Sequence, residues 1–364
     1  MKLVQEMHGQ ALFEKFALVL RYSSFVAVMG CLGMGVTITR KVSEMRANKC
    51  YDNLSALILT SAVTVTGLFI VLTIISIVMP KLTEVSSNTV FTILAYSYSL
   101  VMFNIAYSVE RGYSNFLRTE VSRALYINVP IVPLAIFFEN IEPIFWVVTF
   151  LNLSWSILFL GARFSLTRWL PAGLLISSLK RFPADFIVPL VWLIPVAYSN
   201  IIFGVEAAAN LSIAFSVVTA SLTLFGPIST LILSDATKIQ ATIGTRKYAR
   251  RILTLMVLCL PLFALIHYGF SIAFSSPIDI GRTILFSLLS LSYGACTIFR
   301  GLAEALYSYG RFSIILLAAG TGTFLLASIV HLSGYLTTDL LIVSLVIFFS
   351  SVNTVLYNSF GRLI

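Results

Sequence analysis

The chain has 364 residues, of which 58% are hydrophobic and 11% charged, and its mean hydropathy is +0.96. Soluble domains carry about 25% charged residues, so a soluble core of this size is excluded and a bilayer must solvate much of the surface. The net charge of +9 does not indicate nucleic-acid binding, because the basic residues lie in short connections. We therefore predict an all-α, polytopic membrane protein.

Apolar segments of the length that a membrane-spanning helix needs, about 20 residues, recur along the whole chain. Short polar connections separate them, as in a protein that crosses the bilayer repeatedly. They predict about eleven transmembrane helices. The segments lie near residues 17–39, 53–79, 88–109, 121–138, 143–162, 186–205, 209–233, 252–275, 281–299, 312–332 and 337–358.

The charges of the connections predict the orientation. Basic connections alternate with connections that carry acids and few bases, and cytoplasmic loops are the ones enriched in Lys and Arg. The basic connections and the C-terminus are therefore predicted to be cytoplasmic. Eleven helices then leave the N-terminus outside, and we expect that a first helix is missing from an architecture of about twelve. The basic connections are 40–52, 110–123, 163–185, 234–251 and 300–311.

Two helix bundles are predicted on either side of the longest basic connection. We expect an incomplete N-terminal bundle at 1–165, a cytoplasmic interfacial linker at 166–185 and a C-terminal six-helix bundle at 186–364. Residues 32–47 resemble residues 225–241, and each stretch ends a helix before a basic loop. This similarity favours two pseudo-symmetric parallel repeats, an arrangement found among transporters.

Two stretches resemble a known transporter family. Residues 31–53, CLGMGVTITRKVSEMRANKCYDN, resemble the second helix and first cytoplasmic loop of polysaccharide flippases in the MATE-like (multidrug/oligosaccharidyl-lipid/polysaccharide) superfamily. Residues 179–253 resemble the seventh and eighth helices of that family with the loop that follows. Among its branches, the chain is most similar to the O-antigen flippases.

The resemblance implies a function. A member of that branch moves undecaprenyl-diphosphate-linked oligosaccharide across the bacterial inner membrane by alternating access, as a multi-pass protein with no cofactor. Its expected partners are the polyprenyl-diphosphate-linked glycan, membrane lipids and other polysaccharide assembly proteins. In this family the position of Asn200 is often acidic and that of Ser216 often basic, so ion coupling through these two positions is not expected here.

Arg21 is the charged residue that stands well inside a predicted helix. If it faces a cavity, it can bind a diphosphate bidentately, because a guanidinium stays ionised. The alternative is that its long side chain reaches the headgroups.

Further candidate substrate contacts are cations at the cytoplasmic rim and amides within helices. The rim cations attract an anionic diphosphate, or they serve only as topological anchors. The amides contact sugars in a hydrated cavity, or they form the hydrogen bonds that join membrane helices. The rim candidates are Arg40, Lys41, Arg111, Arg123 and Arg300, and the amides are Asn104 and Asn200.

The position of the acids separates the alternative functions. All 15 Asp and Glu residues are predicted in connections or at helix ends, which counts against an exporter of organic cations and favours an anionic substrate. A MATE-type drug or metabolite antiporter remains the first alternative to the flippase. A membrane glycosyltransferase or O-antigen polymerase is the second, although the predicted outer connections are short for an enzyme of that kind.

Overall fold

The computed structural model describes most of the predicted helices. The described ranges are 9–49, 53–78, 87–113, 140–161, 173–221, 245–273, 280–306 and 337–360, with single residues between 115 and 138 and between 314 and 328. The predicted spans at 121–138 and 312–332 lie largely outside the described residues.

Every regular element in these ranges is an α-helix, which confirms the all-α class. Five of the helices are long and apolar enough to cross a membrane, and the number is seven if two bent pairs each count as one span. The helices are α1 Gln10–Cys31, α2 Met34–Ala47, α3 Leu54–Val78, α4 Ser87–Gly112, α5 Ile141–Gly161, α6 Gly173–Phe203, α7 Val205–Ser221, α8 Thr245–Leu258, α9 Leu260–Ala273, α10 Ile280–Leu306 and α11 Thr338–Phe360.

The chain divides into two compact units, Met1–Leu193 (unit 1) and Ile194–Ile364 (unit 2). Helix α6 runs without a break from Gly173 to Phe203. The later part of the predicted interfacial linker, residues 173–185, is therefore the beginning of a long helix.

Unit 1 is built around α4, which packs against α1, α2, α3 and α5. Helix α3 is apolar on all sides, and α4 carries buried serines and aromatic rings on the sides that face its neighbours. The ring of Phe145 on α5 lies 5.2 Å from the ring of Phe16 and 5.0 Å from that of Tyr96. These three buried rings join α1, α4 and α5.

A break of 49° separates α1 from α2. Leu32 and Gly33 have φ angles of 46° and 74°, so both occupy the left-handed region. Glycine suits position 33 because of this φ angle and because of a close contact. A Cβ atom at Gly33 would lie 2.6 Å from the carbonyl oxygen of Ser178 on α6. The chain thus turns at the point where it touches another helix backbone.

The last turns of α2 and α4 are held together by hydrogen bonds to main-chain carbonyls. The Thr39 hydroxyl donates to the Ser108 carbonyl over 3.1 Å, and the Arg46 guanidinium donates to the Tyr113 carbonyl over 2.8 Å. Between them, Gly112 lets the helices approach so closely that an added Cβ atom would lie 2.4 Å from the Cβ atom of Val42.

Unit 2 is built around α10, which packs against α7, α8, α9 and α11. The Asn353 amide donates to the Ser292 carbonyl over 2.8 Å, and the ring of Phe349 lies 4.9 Å from that of Tyr293. The bend of 41° between α8 and α9 occurs just before Pro261. Proline lacks the N–H that a continuous helix would need there.

We expect Gly112→Ala to lower the melting temperature of the detergent-solubilised protein. The new methyl group overpacks the contact with Val42, and overpacking costs about 1–3 kcal/mol. The matched control is Gly161→Ala, because nothing lies within 4 Å of a Cβ atom at that position. Equal melting temperatures for the two variants, measured by tryptophan fluorescence, would contradict the close α2–α4 contact.

A candidate binding cavity in unit 1

A cavity of about 780 Å³ lies between α3, α4 and α5 in unit 1. Pockets for small organic molecules occupy about 300–1,000 Å³, so this cavity has the size of a binding site. Its walls are mostly apolar and aromatic, with a few hydroxyl groups, one amide and one carboxylate. The lining residues are Thr66, Phe69, Ile70, Thr73, Ile74, Asn88, Phe91, Thr92, Leu94, Ala95, Tyr98, Glu142 and Trp146.

The carboxylate that lines the cavity belongs to an ion pair. Glu142 lies in the first turn of α5, and its Oε1 accepts a hydrogen bond from Lys15 Nζ on α1 over 2.5 Å. The two side chains are 27% and 44% exposed, so both remain accessible. Asn88, in the first turn of α4, also lines the cavity. The mouth of the cavity is therefore lined by a carboxylate and an amide, and Lys15 lies next to it as the partner of that carboxylate.

A pair of hydroxyl groups lines the end of the cavity that is farthest along α4 from Asn88. The Thr66 Oγ1 and Tyr98 Oη atoms are 3.0 Å apart. Since Thr66 already donates to the Ala62 carbonyl over 2.8 Å, its oxygen accepts the hydrogen bond from Tyr98. The ring of Phe69 lies 5.4 Å from the Tyr98 ring, at an edge-to-face angle of 63°. Both hydroxyl protons are therefore used within the protein, so neither group donates a hydrogen bond to a ligand.

One side of the cavity is open through apolar side chains. Ile70, Ile74 and Trp146 line it and are 54%, 53% and 49% exposed. Both α3 and α5 are long and apolar enough to cross a membrane, so these exposed surfaces face hydrocarbon when the helices are embedded. A molecule dissolved in the bilayer can reach the cavity sideways.

The described residues offer little for other chemistry. Within the described ranges, no three His, Cys, Asp or Glu side chains come close enough together to hold a metal ion. The buried His267 of unit 2 lies 3.0 Å from the Ser290 hydroxyl and stacks on Phe286, and it belongs to the packing of α9 on α10.

Two of the predicted rim cations share one partner. Arg40 Nε lies 3.1 Å from Glu44 Oε1, and Lys41 Nζ lies 3.0 Å from Glu44 Oε2. All three side chains are exposed on the face of α2 that does not touch α4. They are brought together, but none of them lines the cavity.

Arg111 lies near the C-terminal end of α4, at the same end of unit 1 as Arg40 and Lys41. Its guanidinium carbon is 5.2 Å from the centre of the Tyr107 ring, and its Nε atom is buried without a hydrogen-bond partner. Asn104 is partly buried two turns earlier in the same helix.

Arg21 lies deeper in its helix than predicted, because α1 begins at Gln10 and not near residue 16. At a rise of 1.5 Å per residue, it lies about 16 Å from the start of α1. It is partly buried, and it does not line the cavity.

The remaining predicted substrate contacts belong to unit 2 or lie outside the described residues. Asn200 is on α6, and its Oδ1 atom is buried without a hydrogen-bond partner. Arg300 is on α10, although its side chain is not among those described. Arg123 lies outside the described residues. The substrate roles assigned to all these residues stay predictions.

Two acids lie at helix ends, as predicted, in surroundings that the sequence does not reveal. Glu110 is only 1% exposed, and its Oε2 accepts a hydrogen bond from the Asn115 amide over 2.8 Å. Glu142 lies at a helix end as predicted, yet it lines a cavity. A signal for it was present, because Glu142 and Trp146 are four residues apart and so share one helix face.

Comparison with solved structures identifies the fold of the chain. No protein-family model matches the chain, and no curated protein matches it. Two solved structures do match over the whole chain. One is an inward-facing multidrug resistance MATE family transporter of the MOP superfamily, at a TM-score of 0.66 and 12% identity, with 93% of its chain covered. The chain has the fold of a MATE transporter.

The second match agrees with the first. A point mutant of VcmN, a MATE transporter of Vibrio cholerae, aligns at a TM-score of 0.65 and 15% identity, with all of this chain and 96% of that one covered. The shared fold confirms the predicted all-α class and a multi-pass membrane protein. It does not distinguish the polysaccharide branch, which stays a prediction.

We expect Tyr98→Phe to destabilise the protein slightly by removing the bond to Thr66. Hydrogen bonds between membrane helices are worth about 0.6 kcal/mol on average, so the melting temperature should fall by a small but measurable amount. Tyr268→Phe is the control, because this tyrosine is 45% exposed on α9. A fall no larger than that of the control would show that the Thr66–Tyr98 bond is not formed.

Proposed function

We propose that the protein is a MATE-type transporter that exchanges an organic substrate for an ion across a membrane. The observation that carries this proposal is the match of the whole chain to two MATE transporters. The sequence analysis placed this function second to the flippase, and the comparisons favour it over the flippase. An enzyme is a weaker hypothesis than either, because both matched proteins are transporters.

The cavity in unit 1 is the candidate substrate site. Phe69, Phe91 and Trp146 supply aromatic surface, which attracts an apolar body and the positive group of an organic cation. Among the described residues of the lining, Glu142 adds one carboxylate. A substrate with an apolar body and a positive group fits these walls.

The proposal also includes a moving part in each unit. Transport by alternating access needs elements with two arrangements, and hinges are a few residues that absorb the change in backbone angles. The break between α1 and α2 at Gly33 and the break between α8 and α9 before Pro261 are such points. We assign the hinge role to these two breaks.

The O-antigen-type flippase is the second candidate, and the basic end of unit 1 favours it. There Arg111 has a buried Nε atom without a hydrogen-bond partner, and a diphosphate oxygen would satisfy it. Arg40 and Lys41 add two exposed cations that share the single carboxylate of Glu44. Under this hypothesis the ligand is a polyprenyl-diphosphate-linked glycan in the bacterial inner membrane.

The transporter proposal is tested by efflux of rhodamine 6G, a cationic aromatic dye, from bacteria that lack their own dye exporters. Cells that express the chain should accumulate less dye than cells with an empty vector. Glu142→Gln should return the accumulation most of the way to the vector level. Asp339→Asn, which removes the acid of another exposed ion pair, with Arg282, should leave efflux unchanged. Full membrane expression with accumulation at the vector level would contradict the proposal.

The flippase candidate is tested by deleting the gene in its own host and measuring surface polysaccharide. It predicts loss of the polysaccharide, restored by the wild-type chain but not by Arg111→Ala or Arg21→Ala. Full restoration by both variants removes these arginines from the mechanism. Unchanged polysaccharide together with a new sensitivity to dyes rejects the flippase and favours the antiporter.

A further inference from the structure

A simple cation can take the acid of the cavity only at a cost. Glu142 already binds Lys15 over 2.5 Å, so an organic cation that takes the carboxylate must displace Lys15 and leave a second positive charge beside itself. A ligand that carries a positive and a negative group side by side avoids this cost. Its ammonium can bind Glu142 while its anionic group binds Lys15, so that no charge loses its partner.

The apolar part of the cavity continues inward from this charged mouth. From Asn88 to Tyr98 the lining follows α4 for ten residues, which is about 15 Å at 1.5 Å per residue. Phe91, Leu94 and Ala95 line this path. The hydroxyl groups at its end are bonded to each other. The path therefore suits an alkyl chain, which cannot form hydrogen bonds.

The open side of the cavity indicates that the ligand comes from the bilayer. Ile70, Ile74 and Trp146 are about half exposed along the edge of the cavity, on helices that face hydrocarbon. Tryptophan is enriched at the membrane interface, where an indole sits at headgroup level, and Trp146 is one turn from Glu142. The charged mouth thus lies at headgroup level, and the apolar path lies beside acyl chains.

We propose that this cavity binds a zwitterionic phospholipid, with its ammonium on Glu142, its phosphate on Lys15 and one acyl chain between α3, α4 and α5. The inference rests on the proposed function in one respect, since it names the substrate class of the same cavity. The lipid enters sideways from the bilayer. Phosphatidylglycerol lacks the ammonium that Glu142 needs, so it binds less well.

The test measures quenching of tryptophan fluorescence by brominated acyl chains in nanodiscs that contain the full chain. Brominated phosphatidylethanolamine is mixed at a low fraction into unbrominated phosphatidylglycerol, and the labels are then exchanged. The difference between wild type and Trp146→Phe isolates the signal of Trp146. We expect about two- to fivefold stronger binding of the zwitterionic lipid, which corresponds to the energy of an exposed ion pair.

Variants separate the ion pair from general lipid contact. Glu142→Gln should remove the preference, whereas the exchange Lys15→Glu with Glu142→Lys should keep it, because the pair is reversed but present. Ala95→Phe should fill the cavity and abolish the Trp146 quenching, and Val63→Phe, on the exposed surface of α3, should not. Asp339→Asn is the control for removing an unrelated acid.

Three results would overturn the inference: equal quenching by the two lipids, preference for phosphatidylglycerol, or a preference that survives Glu142→Gln. Each is independent of transport. Rhodamine efflux without a lipid preference rejects the lipid site and leaves the transporter standing. A lipid preference without rhodamine efflux supports the lipid site and rejects the transporter proposal. Each variant should still melt cooperatively, which shows that it is folded and can be compared with the wild type.

Discussion

The close packing of neighbours around α4 is the constraint on which unit 1 depends. Membrane helices gain no hydrophobic energy from one another, because lipid tails are as apolar as leucine. Their association needs small residues and hydrogen bonds, and α4 has both. Gly112 allows Val42 of α2 to pack closely against α4. The Ser108 carbonyl accepts a hydrogen bond from Thr39, and the Tyr98 hydroxyl is hydrogen-bonded to Thr66 on α3. Of these contacts, the Thr66–Tyr98 bond joins two of the helices that form the cavity walls.

The cavity follows from how α3 and α5 flank α4. Helix α3 is apolar on every side and leaves Ile70 and Ile74 facing outward, while α5 brings Trp146 and Glu142 to the same edge. Lys15 of α1 then meets Glu142 at the mouth. One bundle thus places a pair of opposite charges above an apolar path.

The general architecture could be predicted from the sequence, because a bilayer permits few structures. The predicted spans at 53–79, 88–109 and 143–162 agree with α3, α4 and α5 to within a few residues. The cavity could not be predicted. Lys15 and Glu142 are 127 residues apart in sequence, and Lys15 was assigned to a segment before the first helix. The close approach of Gly33 to the α6 backbone is likewise a long-range contact, which no local pattern reveals.

The central claim is that the cavity between α3, α4 and α5 is the substrate site, and an experimental map tests it most directly. Electron cryomicroscopy of the full chain in nanodiscs of native lipid would show what the cavity holds. The account predicts an elongated density that starts at Lys15 and Glu142 and ends near Tyr98. A cavity closed by its own side chains, with ligand density elsewhere in the protein, would contradict it.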